Sequence, residues 1–537
     1  MKDESGNSTG ATRGPSWLRA VLEVIAITAI FAAAGAWPVP DVNEAAYLTK
    51  ARHAADPSWC AGDFYLETPD AHGIFYLVIG PLAARLPLET AAWIGRVAGW
   101  LALAVGFWHL AAATVAGATW SRIRRTWATL AAAAIFSLAL RQTTAAGEWV
   151  IGGCEAKVLA WALVYGGLGE LVRGRFALAW CLMGGATAFH PLVGGWAMVA
   201  AAATVVVQRP WPARPVSWAW PAGLGLVGIL GVAAGVVPAV LLNAGVDAAM
   251  RHEAARIYVV ERLPHHLLVQ TFATGFVARH VLALLVWWLL RGMVAPSPAR
   301  RRLDAFTLAA LGISLGGVLI ALAEPWAPSL AHGLLRYYWF RLGDVVVPLA
   351  VAIIAAVVLA DDAACRRIMP LAPPLVRVIA TLLLMADLAA ESLHWPLPGR
   401  ELASRADAKV DPPAWVDICE WVRDYAPPDA CVLTPRGAAT LTWRTGRREV
   451  VSWKNSPQDA LSLVAWRKRL IDCFSIDGTM SNGVRSTATL GPARVAEVAT
   501  RYGATLAIVP LDTVGIDELP YRRLHANDVY AVYELIE

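Results

Sequence analysis

Residues 342–360 read LGDVVVPLAVAIIAAVVLA, a run in which Asp344 is the single charged residue. An α-helix needs about 20 mostly apolar residues to cross the hydrocarbon core of a bilayer, so this stretch predicts a membrane-spanning helix. Ten more stretches have the same character: 17–37, 88–117, 127–140, 157–172, 176–189, 191–207, 217–242, 267–290, 304–323 and 370–392. Residues 17–392 are therefore predicted to form an all-α polytopic membrane domain with about 11 transmembrane helices.

The composition of the chain supports a membrane protein. Of the 537 residues, 57% are hydrophobic and 16% are charged, whereas a soluble chain has about 25% charged residues. Several of the 25 Trp residues lie at the ends of apolar runs, as in the aromatic belts at membrane interfaces. The net charge of +5 is small, and no basic stripe with interleaved aromatic residues predicts a nucleic-acid partner.

The loops between the predicted spans differ in their content of Lys and Arg. Short cytoplasmic loops are rich in these residues, so their distribution indicates the orientation of the chain. One alternate set of loops carries most of the bases, at Lys2 to Arg19, 122–125, 173–175, 209–214, 291–302 and 366–367. We therefore predict a disordered cytoplasmic N-terminus, 1–16, and an extracytoplasmic location for the outer loop 38–73 and for residues 393–537.

Residues 393–537 are more polar and are predicted to form a small extracytoplasmic α/β domain. The patterns favour helices at 413–425, 459–473 and 492–502, and strands at 430–434, 449–452, 505–509, 521–525 and 529–535. Gly503 follows the last of these helices and is typical of a helix C-cap. Earlier in the chain, the short apolar stretch 74–86 is predicted to be interfacial or re-entrant.

The first outer loop contains Pro40-Asp41-Val-Asn43-Glu44-Ala-Ala-Tyr47. If a helix begins here, Asp41 and Glu44 are three residues apart and share one face. Two carboxylates beside a bilayer can serve as a general base, as metal ligands or as both. Alternatively, one of them is an N-cap and the other a solvated acid.

At these residues the chain resembles the GT-C superfamily of membrane glycosyltransferases, which use polyprenyl-phosphate sugars. In that superfamily an acidic pair, often Asp-Glu followed by an aromatic residue, lies in the large outer loop after the first span. The nearest match is Asn43-Glu44-Ala-Ala-Tyr47, so the first acid is replaced by Asn43 or has shifted to Asp41. The resemblance implies hexosyl or pentosyl transfer from a lipid-linked donor, with Asp41 or Glu44 as the catalytic base.

The strings 41–51, 149–157 and 189–196 also look like a bacterial family of multipass membrane proteins of unknown function. This resemblance implies a location in the bacterial inner membrane, as part of the cell envelope.

Several polar groups of the outer loops fit a lipid-phosphate substrate. Arg336 and Arg341 enclose aromatic residues, and Arg binds phosphate through paired hydrogen bonds, but the same cluster could be a snorkelling interface anchor. His190 is either a substrate contact or a hydrogen-bonded turn residue. Glu155 and Lys157 either line the same cavity or pair locally. The predicted substrate-binding residues are His72, Glu155, Lys157, His190, Arg256, Arg336, Tyr337 and Arg341.

Asp63 and Asp70 are the candidates for a divalent metal, Mg²⁺ or Mn²⁺, together with Asp41. The spacing of these acids is not diagnostic of a metal site.

Three functions follow from these observations. The first is a membrane glycosyltransferase acting on an extracytoplasmic acceptor. The second is a non-catalytic protein that handles envelope lipid or polysaccharide on the same scaffold, which the Asn at position 43 favours. A transporter ranks third, because transporters place polar groups at mid-membrane within internal repeats, whereas here the polar groups cluster at one face.

Overall fold

The computed structural model describes residues 16–116, 119–208 and 219–535. Almost all of the predicted disordered N-terminus, 1–16, and the basic loop 209–214 lie outside these ranges.

The first part of the chain is entirely helical. The helices are α1 (Ser16–Gly35), α2 (Glu44–Ala55), α3 (Gly73–Arg85), α4 (Leu88–Val115), α5 (Arg122–Thr143), α6 (Ala156–Arg173), α7 (Phe176–Phe189), α8 (Pro191–Gln208), α9 (Ala219–Leu241), α10 (Ala248–Arg256), α11 (Pro264–Leu267), α12 (Thr274–Arg291), α13 (Pro298–Leu322), α14 (Pro328–Leu335), α15 (Arg341–Ala360), α16 (Asp362–Ile368) and α17 (Pro373–Glu391). A π-helical turn, Ile257–Arg262, joins α10 to the short α11. Each of the eleven predicted spans coincides with one of these helices.

Within the described residues, nine helices are long and apolar enough to cross a membrane: α1, α4, α5, α8, α9, α12, α13, α15 and α17. Two of the predicted spans, 157–172 and 176–189, correspond to helices that are not among these nine. The corresponding α6 carries three charged residues over 18 positions, and α7 has only 14 residues. Both helices still belong to the bundle, because α6 packs against α4 and α7.

The degree of burial separates the centre of the bundle from its surface. Helix α15 contains the apolar run 342–360, and 89% of its membrane-spanning stretch is buried inside the protein. In α9, α12 and α17 the buried share is 11%. A helix that is apolar all round is stable either inside a protein or against lipid. Helix α15 is therefore central, and the other three expose apolar side chains where lipid would surround them.

The last part of the chain is a mixed α/β unit. It contains helices α18 (Pro412–Tyr425), α19 (Leu441–Thr445), α20 (Ala460–Phe474) and α21 (Pro492–Tyr502). The strands are β1 (Cys431–Leu433), β2 (Arg448–Glu449), β3 (Leu506–Pro510), β4 (Arg522–Ala526) and β5 (Tyr530–Glu534), in the order β2-β1-β3-β5-β4. Strands β2, β1 and β3 are parallel, whereas β5 is antiparallel to β3 and β4.

Helices cover both faces of this sheet. Trp415 and Ile418 of α18 are buried against Val432 on one face. Leu463 of α20 and Val495 of α21 are buried on the other face. Gly503 ends α21 with a φ of +67°, the left-handed conformation predicted for it. The predicted α/β elements are confirmed, although β2 is shorter than the predicted strand 449–452.

The α/β unit docks onto the loops at one end of the helix bundle. The backbone N–H of Ala460 donates to the side chain of Asn243 at 2.8 Å, and Arg467 pairs with Glu261 at 2.7 Å. At the opposite end of the bundle, Asp362 pairs with Arg124 and Arg377. The loops that were predicted to share one side of the membrane therefore meet at one end of the bundle, which we call the outer end. The boundaries between domains stay a prediction.

Candidate functional site

The carboxylate of Glu44, the first residue of α2, is fully enclosed at the outer end. Arg96 of α4 donates two hydrogen bonds to it, from Nε at 2.9 Å and from Nη2 at 2.6 Å. The backbone N–H groups of Cys154 and Asp41 donate two more, at 2.7 and 2.9 Å. Because a carboxylate has about four lone-pair sites, no acceptor position is left. Glu44 thus holds α2, α4 and the 152–154 loop together, and its role as a base stays a prediction.

The carboxylate of Asp41 also accepts four hydrogen bonds, but one of the donor residues, Arg405, is partly exposed. Its carboxylate accepts hydrogen bonds from the backbone N–H of Val42 at 2.7 Å and of Gly153 at 3.1 Å. Arg405 adds a bidentate pair at 2.7 and 2.6 Å. Burial alone would raise the pKa of Asp41, but the hydrogen bonds and charge of Arg405 outweigh burial and lower it. The Arg405 side chain is 34% exposed, so Asp41 could be released only if Arg405 moved.

The 152–154 loop approaches these acids closely. A Cβ atom on Gly153 would lie 3.0 Å from the Asp41 Cβ and 3.1 Å from the Glu44 carboxyl carbon. Glycine is the residue that permits such an approach of backbone to side chains. The Gly152-Gly153 pair therefore allows the loop to donate its N–H groups to both acids.

Glu155 differs from the two saturated acids. It is 1% exposed, and its Oε2 accepts one hydrogen bond from Asn43 at 3.2 Å. Its Oε1 is buried and has no hydrogen-bond partner among the described residues. Burial raises the pKa of Glu155, an effect that the nearby Lys157 only partly offsets. A carboxyl with a raised pKa and an unused oxygen is suited to accept a proton.

A connected series of charged groups leads away from Glu155. The Lys157 Nζ lies 3.6 Å from Glu155 and 3.5 Å from Glu148. Glu148 in turn accepts from the Nε of Arg341 at 2.9 Å. Arg341 also lies 3.2 Å from the Nε2 of His190. Burial, followed by the charge of Arg341, holds the pKa of His190 well below its usual range, so its ring is neutral and accepts from Arg341.

His72 continues this series into the first outer loop. Its ring lies 5.1 Å from that of His190, and its Nδ1 is 2.6 Å from Asp70. Burial would raise the pKa of Asp70, but His72 and Lys50 lower it. Gln458 of the α/β unit also contacts the His72 ring, at 3.1 Å. Five predicted site residues thus converge at the outer end: His72, Glu155, Lys157, His190 and Arg341.

Three other predicted site residues lie apart from this series. Arg256 pairs with Glu253 at 2.8 Å and with Glu261 at 2.9 Å, and so stabilises its own loop. The Tyr337 side chain is 48% exposed. Arg336 lies near Tyr337 and forms no ion pair among the described residues. The structure does not bring these three side chains to Glu155.

The predicted metal ligands bind separate partners. Asp63 accepts from the backbone N–H of Leu66 at 3.0 Å and of Glu449 at 2.9 Å, and burial raises its pKa. Asp70 is occupied by His72 and Lys50. In the described part of the chain, no three His, Cys, Asp or Glu side chains are close enough together to hold a metal ion.

A cavity of about 500 Å³ runs from the membrane-spanning helices to this series. On the membrane side it is lined by Ser137 and Leu140 of α5 and by Phe276 of α12, and at the outer end by Trp37, Glu148, Trp149, His265 and Arg405. The ion pair of Arg141 with Glu391 also lines the cavity on the membrane side. A cavity that combines apolar walls with a few charged groups is typical of a site for an amphiphilic ligand. Lys157 connects Glu148, on the cavity wall, to Glu155.

Two important residues were missed by the sequence analysis. Arg96 lies within the predicted span 88–117, and a charge at that position should have suggested a buried acidic partner. Arg405 lies in a segment without a periodic pattern, 364 residues from Asp41. No local signal identifies that pairing.

Comparisons with known proteins give a family match over a short part of the chain. The model of a domain of unknown function (DUF6798) matches residues 413–473, which run from α18 into α20. No curated protein matches the sequence significantly.

Three solved structures are similar to this chain over nearly all of its length. The chain is 15% identical to ArnT from Cupriavidus metallidurans bound to undecaprenyl phosphate, with a TM-score of 0.38 and 98% and 99% of the two chains covered. ArnT in the apo state gives 15% identity, a TM-score of 0.35 and coverage of 97% and 98%. Arabinofuranosyltransferase AftD from Mycobacteria gives 17% identity and a TM-score of 0.46, with 97% of this chain and 42% of that chain covered.

TM-scores below 0.5 assign neither a superfamily nor any site residue to this chain.

Proposed function

We propose that the protein transfers a sugar from a polyprenyl-phosphate donor to an extracytoplasmic acceptor. The observation that carries this proposal is the unpartnered oxygen of Glu155, a buried carboxylate beside Lys157. Glu155 would take the proton from the acceptor hydroxyl, and the oxygen so activated would attack the anomeric carbon of the donor sugar. The bond from that carbon to the lipid phosphate would break at the same time.

The cations near Glu155 would stabilise the leaving group. Negative charge develops on the lipid phosphate as the sugar departs, and fixed cations at that point lower the barrier. Arg341 and Lys157 are both held in place by Glu148, so they need not reorganise during the reaction. The lipid tail would lie in the cavity between α5 and α12, with its phosphate at the outer end.

Asp41 is a second candidate for the base. A donor phosphate bound by Arg405 would compete with Asp41 for that guanidinium and would release the carboxylate. Glu155 does not need such a rearrangement, so we favour it. Glu44 would act by positioning the 152–154 loop, which donates a hydrogen bond to Asp41 and precedes Glu155.

Transfer of labelled sugar from a polyprenyl-phosphate donor in membranes tests this assignment. We expect Glu155→Gln to lower the rate about 100-fold or more, while Lys468→Gln, an exposed change on α20, leaves it unchanged. Full activity in Glu155→Gln together with loss of activity in Asp41→Asn would transfer the role to Asp41. Full activity in both variants would exclude an acidic base at this site.

A non-catalytic lipid-binding or polysaccharide-binding protein is the alternative, and the saturation of Asp41 and Glu44 favours it. Purified protein that carries polyprenyl phosphate but catalyses no transfer to any envelope glycan would support this alternative.

The dependence on metal and the location of the protein are also proposals. A divalent metal would have to be supplied with the substrate or bound after rearrangement, and transfer measured with and without EDTA tests this. The protein would lie in the bacterial inner membrane, with its N-terminus in the cytoplasm and its α/β unit outside.

A further inference from the structure

The side-chain amide of Asn43 joins the start of α2 to the start of α6. Its Nδ2 donates a hydrogen bond to the Oε2 of Glu155 at 3.2 Å, across 112 positions of the chain. Asn43 and Glu155 directly precede these two helices, and neither side chain caps its own helix. The amide therefore binds the carboxylate instead of the backbone N–H groups of the first turn of α2.

The position before an α-helix favours Asn, Asp and Ser, because their side chains accept hydrogen bonds from the free N–H groups of the first turn. The Ser and Asp residues before α5, α10, α13, α16, α18 and α20 make this contact. In the described part of the chain, Asn43 and Thr440 are the exceptions among such residues. Thr440 precedes a helix of five residues and donates to Asp407. The contact of Asn43 with Glu155 thus takes the place of a stabilising helix cap.

Two acids hold Asn43 in place from either side. The carboxylates of Asp41 and Glu44 each accept four hydrogen bonds, in part from the backbone of the 152–154 loop. The same loop leads directly into Glu155. The amide and the carboxylate that it contacts are therefore fixed to one frame, and their hydrogen bond does not depend on a separate segment of the chain.

The two polar contacts that the Glu155 carboxylate makes with side chains use the same oxygen. Oε2 accepts from Asn43 and lies 3.6 Å from the Nζ of Lys157. Oε1 is closed to solvent and has no hydrogen-bond partner among the described residues. The last torsion of a Glu side chain is broad and roughly two-fold, so a carboxylate without these contacts could present either oxygen. Asn43 and Lys157 together select Oε1 as the free oxygen.

We propose that Asn43 is a positioning residue for Glu155: its amide N–H holds Oε2, keeps the carboxyl ionised and leaves Oε1 to accept the proton of the acceptor hydroxyl. This inference rests on the proposed function, because it concerns how the base of that reaction is held. Asn43 itself takes no proton. An acid at position 43 would set a second carboxylate against Oε2, and one of the two groups would have to be protonated. The Asn at this position therefore fits a working base at Glu155.

The effect of Asn43 on Glu155 can be measured as the pH at which Glu155 is protonated. A hydrogen bond to the ionised form of a carboxyl favours that form, so its loss raises the pKa of the group. Burial raises the pKa of Glu155, and the hydrogen bond from Asn43 lowers it. A substitution at position 43 leaves the other charged or titratable neighbours of Glu155 in place, which are Lys157, Asp41, Lys454 and Tyr47.

Infrared difference spectroscopy of the full-length protein in detergent measures this pH without any turnover. The band of the protonated Glu155 carboxyl is the one that Glu155→Gln removes, and its loss is followed as the pH rises. We expect the midpoint to rise by about one pH unit in Asn43→Ala. In Asn43→Asp, which keeps the shape but sets two carboxyls face to face, one of the pair should stay protonated to a still higher pH.

A matched control has the same kind of contact elsewhere. Asn482 of the α/β unit donates from its Nδ2 to Asp477, also at 3.2 Å, and both residues are exposed. Asn482→Asp should leave the Glu155 midpoint unchanged.

Transfer kinetics give a second readout. Both Asn43 variants should move the acid limb of kcat by the same number of pH units as the infrared midpoint. The KM for the donor should stay unchanged, because Asn43 contacts the base and lies outside the lining of the cavity proposed for the donor.

The inference is wrong if the Glu155 midpoint in the Asn43 variants stays at the wild-type value, or if Asn482→Asp moves it equally. A lower Tm without a change in the midpoint would make the contact a purely structural one and would also overturn it. If one Asn43 variant fails to fold, the other carries the measurement, since Asn43→Asp preserves the shape of the side chain and Asn43→Ala removes the amide.

Failure of this inference and failure of the proposed function give different results. If the wild type transfers no sugar but the midpoint moves in the Asn43 variants, the proposed reaction is wrong and Asn43 still controls the ionisation of Glu155. If Glu155→Gln abolishes transfer while the Asn43 variants titrate and turn over like the wild type, Glu155 is the base and Asn43 does not position it.

Discussion

The ion pair between Arg96 and Glu44 decides whether the loop 152–154 keeps its position. Both side chains are 0% exposed, and they join two helices that are far apart in sequence. Removing one partner of such a pair leaves an uncompensated charge in the interior. The stability of the outer end should therefore depend strongly on this pair.

We expect Arg96→Met to lower the free energy of unfolding by about 3–5 kcal/mol. The double change Arg96→Met, Glu44→Gln should recover part of this loss, because it removes the isolated carboxylate. The Tm of the purified proteins in detergent measures both effects. A double variant no more stable than Arg96→Met would contradict the assignment of Glu44 as a positioning residue.

The raised pKa of Glu155 predicts how the rate of sugar transfer depends on pH. A base must be ionised, and burial raises the pKa of Glu155 above its ordinary value of 4.5. The rate should therefore fall on acidification at a higher pH than it would for an ordinary carboxyl. Lys157 lowers the pKa of Glu155, so Lys157→Met should move the acid limb of kcat/KM to a still higher pH. An acid limb that stays in place in this variant would exclude Glu155 as the titrating group.

Local patterns predicted some of the site residues and could not predict others. Glu155, Lys157 and His190 follow or precede apolar runs, so the sequence places them at helix ends on one face. The choice between Asp41, Glu44 and Glu155 depends on which oxygens are occupied, and that is a tertiary property. The partner of Asp41, Arg405, is 364 residues away, and no local pattern indicates it.

Individual elements were predicted well where composition decides them. The central α15 was evident from its apolar run, and the α/β elements followed from caps and from short apolar strands. The span 157–172 was predicted from its apolar residues, but the corresponding α6 also carries Lys157, Glu170 and Arg173. A helix covered by protein can carry charges that a lipid-facing helix cannot. The short loop segment 393–411 had no pattern from which its contact with the first outer loop could be predicted.

A large side chain at the edge of the cavity between α5 and α12 should hinder the entry of a lipid. Ala273, which precedes α12, lines the cavity, and Ala273→Trp should fill part of its entrance. We expect binding of undecaprenyl phosphate to weaken about tenfold, which corresponds to about 1.4 kcal/mol. Ala234→Trp is the matched control, since Ala234 is exposed on α9 away from the cavity. Equal binding by the two variants would show that the lipid does not enter here.

The whole molecule has a predicted orientation that labelling can test. Val514 is 79% exposed on the α/β unit, and Arg301 is exposed at the opposite end of the bundle. Of the seven native cysteines, only Cys181 is not buried, so Cys181→Ser provides the background. We expect a membrane-impermeant maleimide to label Val514→Cys in intact spheroplasts and Arg301→Cys only after permeabilisation. The reverse pattern would place the site in the cytoplasm, where the proposed acceptor is absent.

Photo-crosslinking with a photoreactive analogue of undecaprenyl phosphate is the most direct test, because it requires neither the sugar nor the acceptor to be known. If the cavity carries the donor lipid, mass spectrometry should find the label on peptides within 137–149 and 265–276, and unlabelled undecaprenyl phosphate should compete for it. Label confined to the lipid-facing helix α9, or label that unlabelled lipid does not displace, would contradict the account.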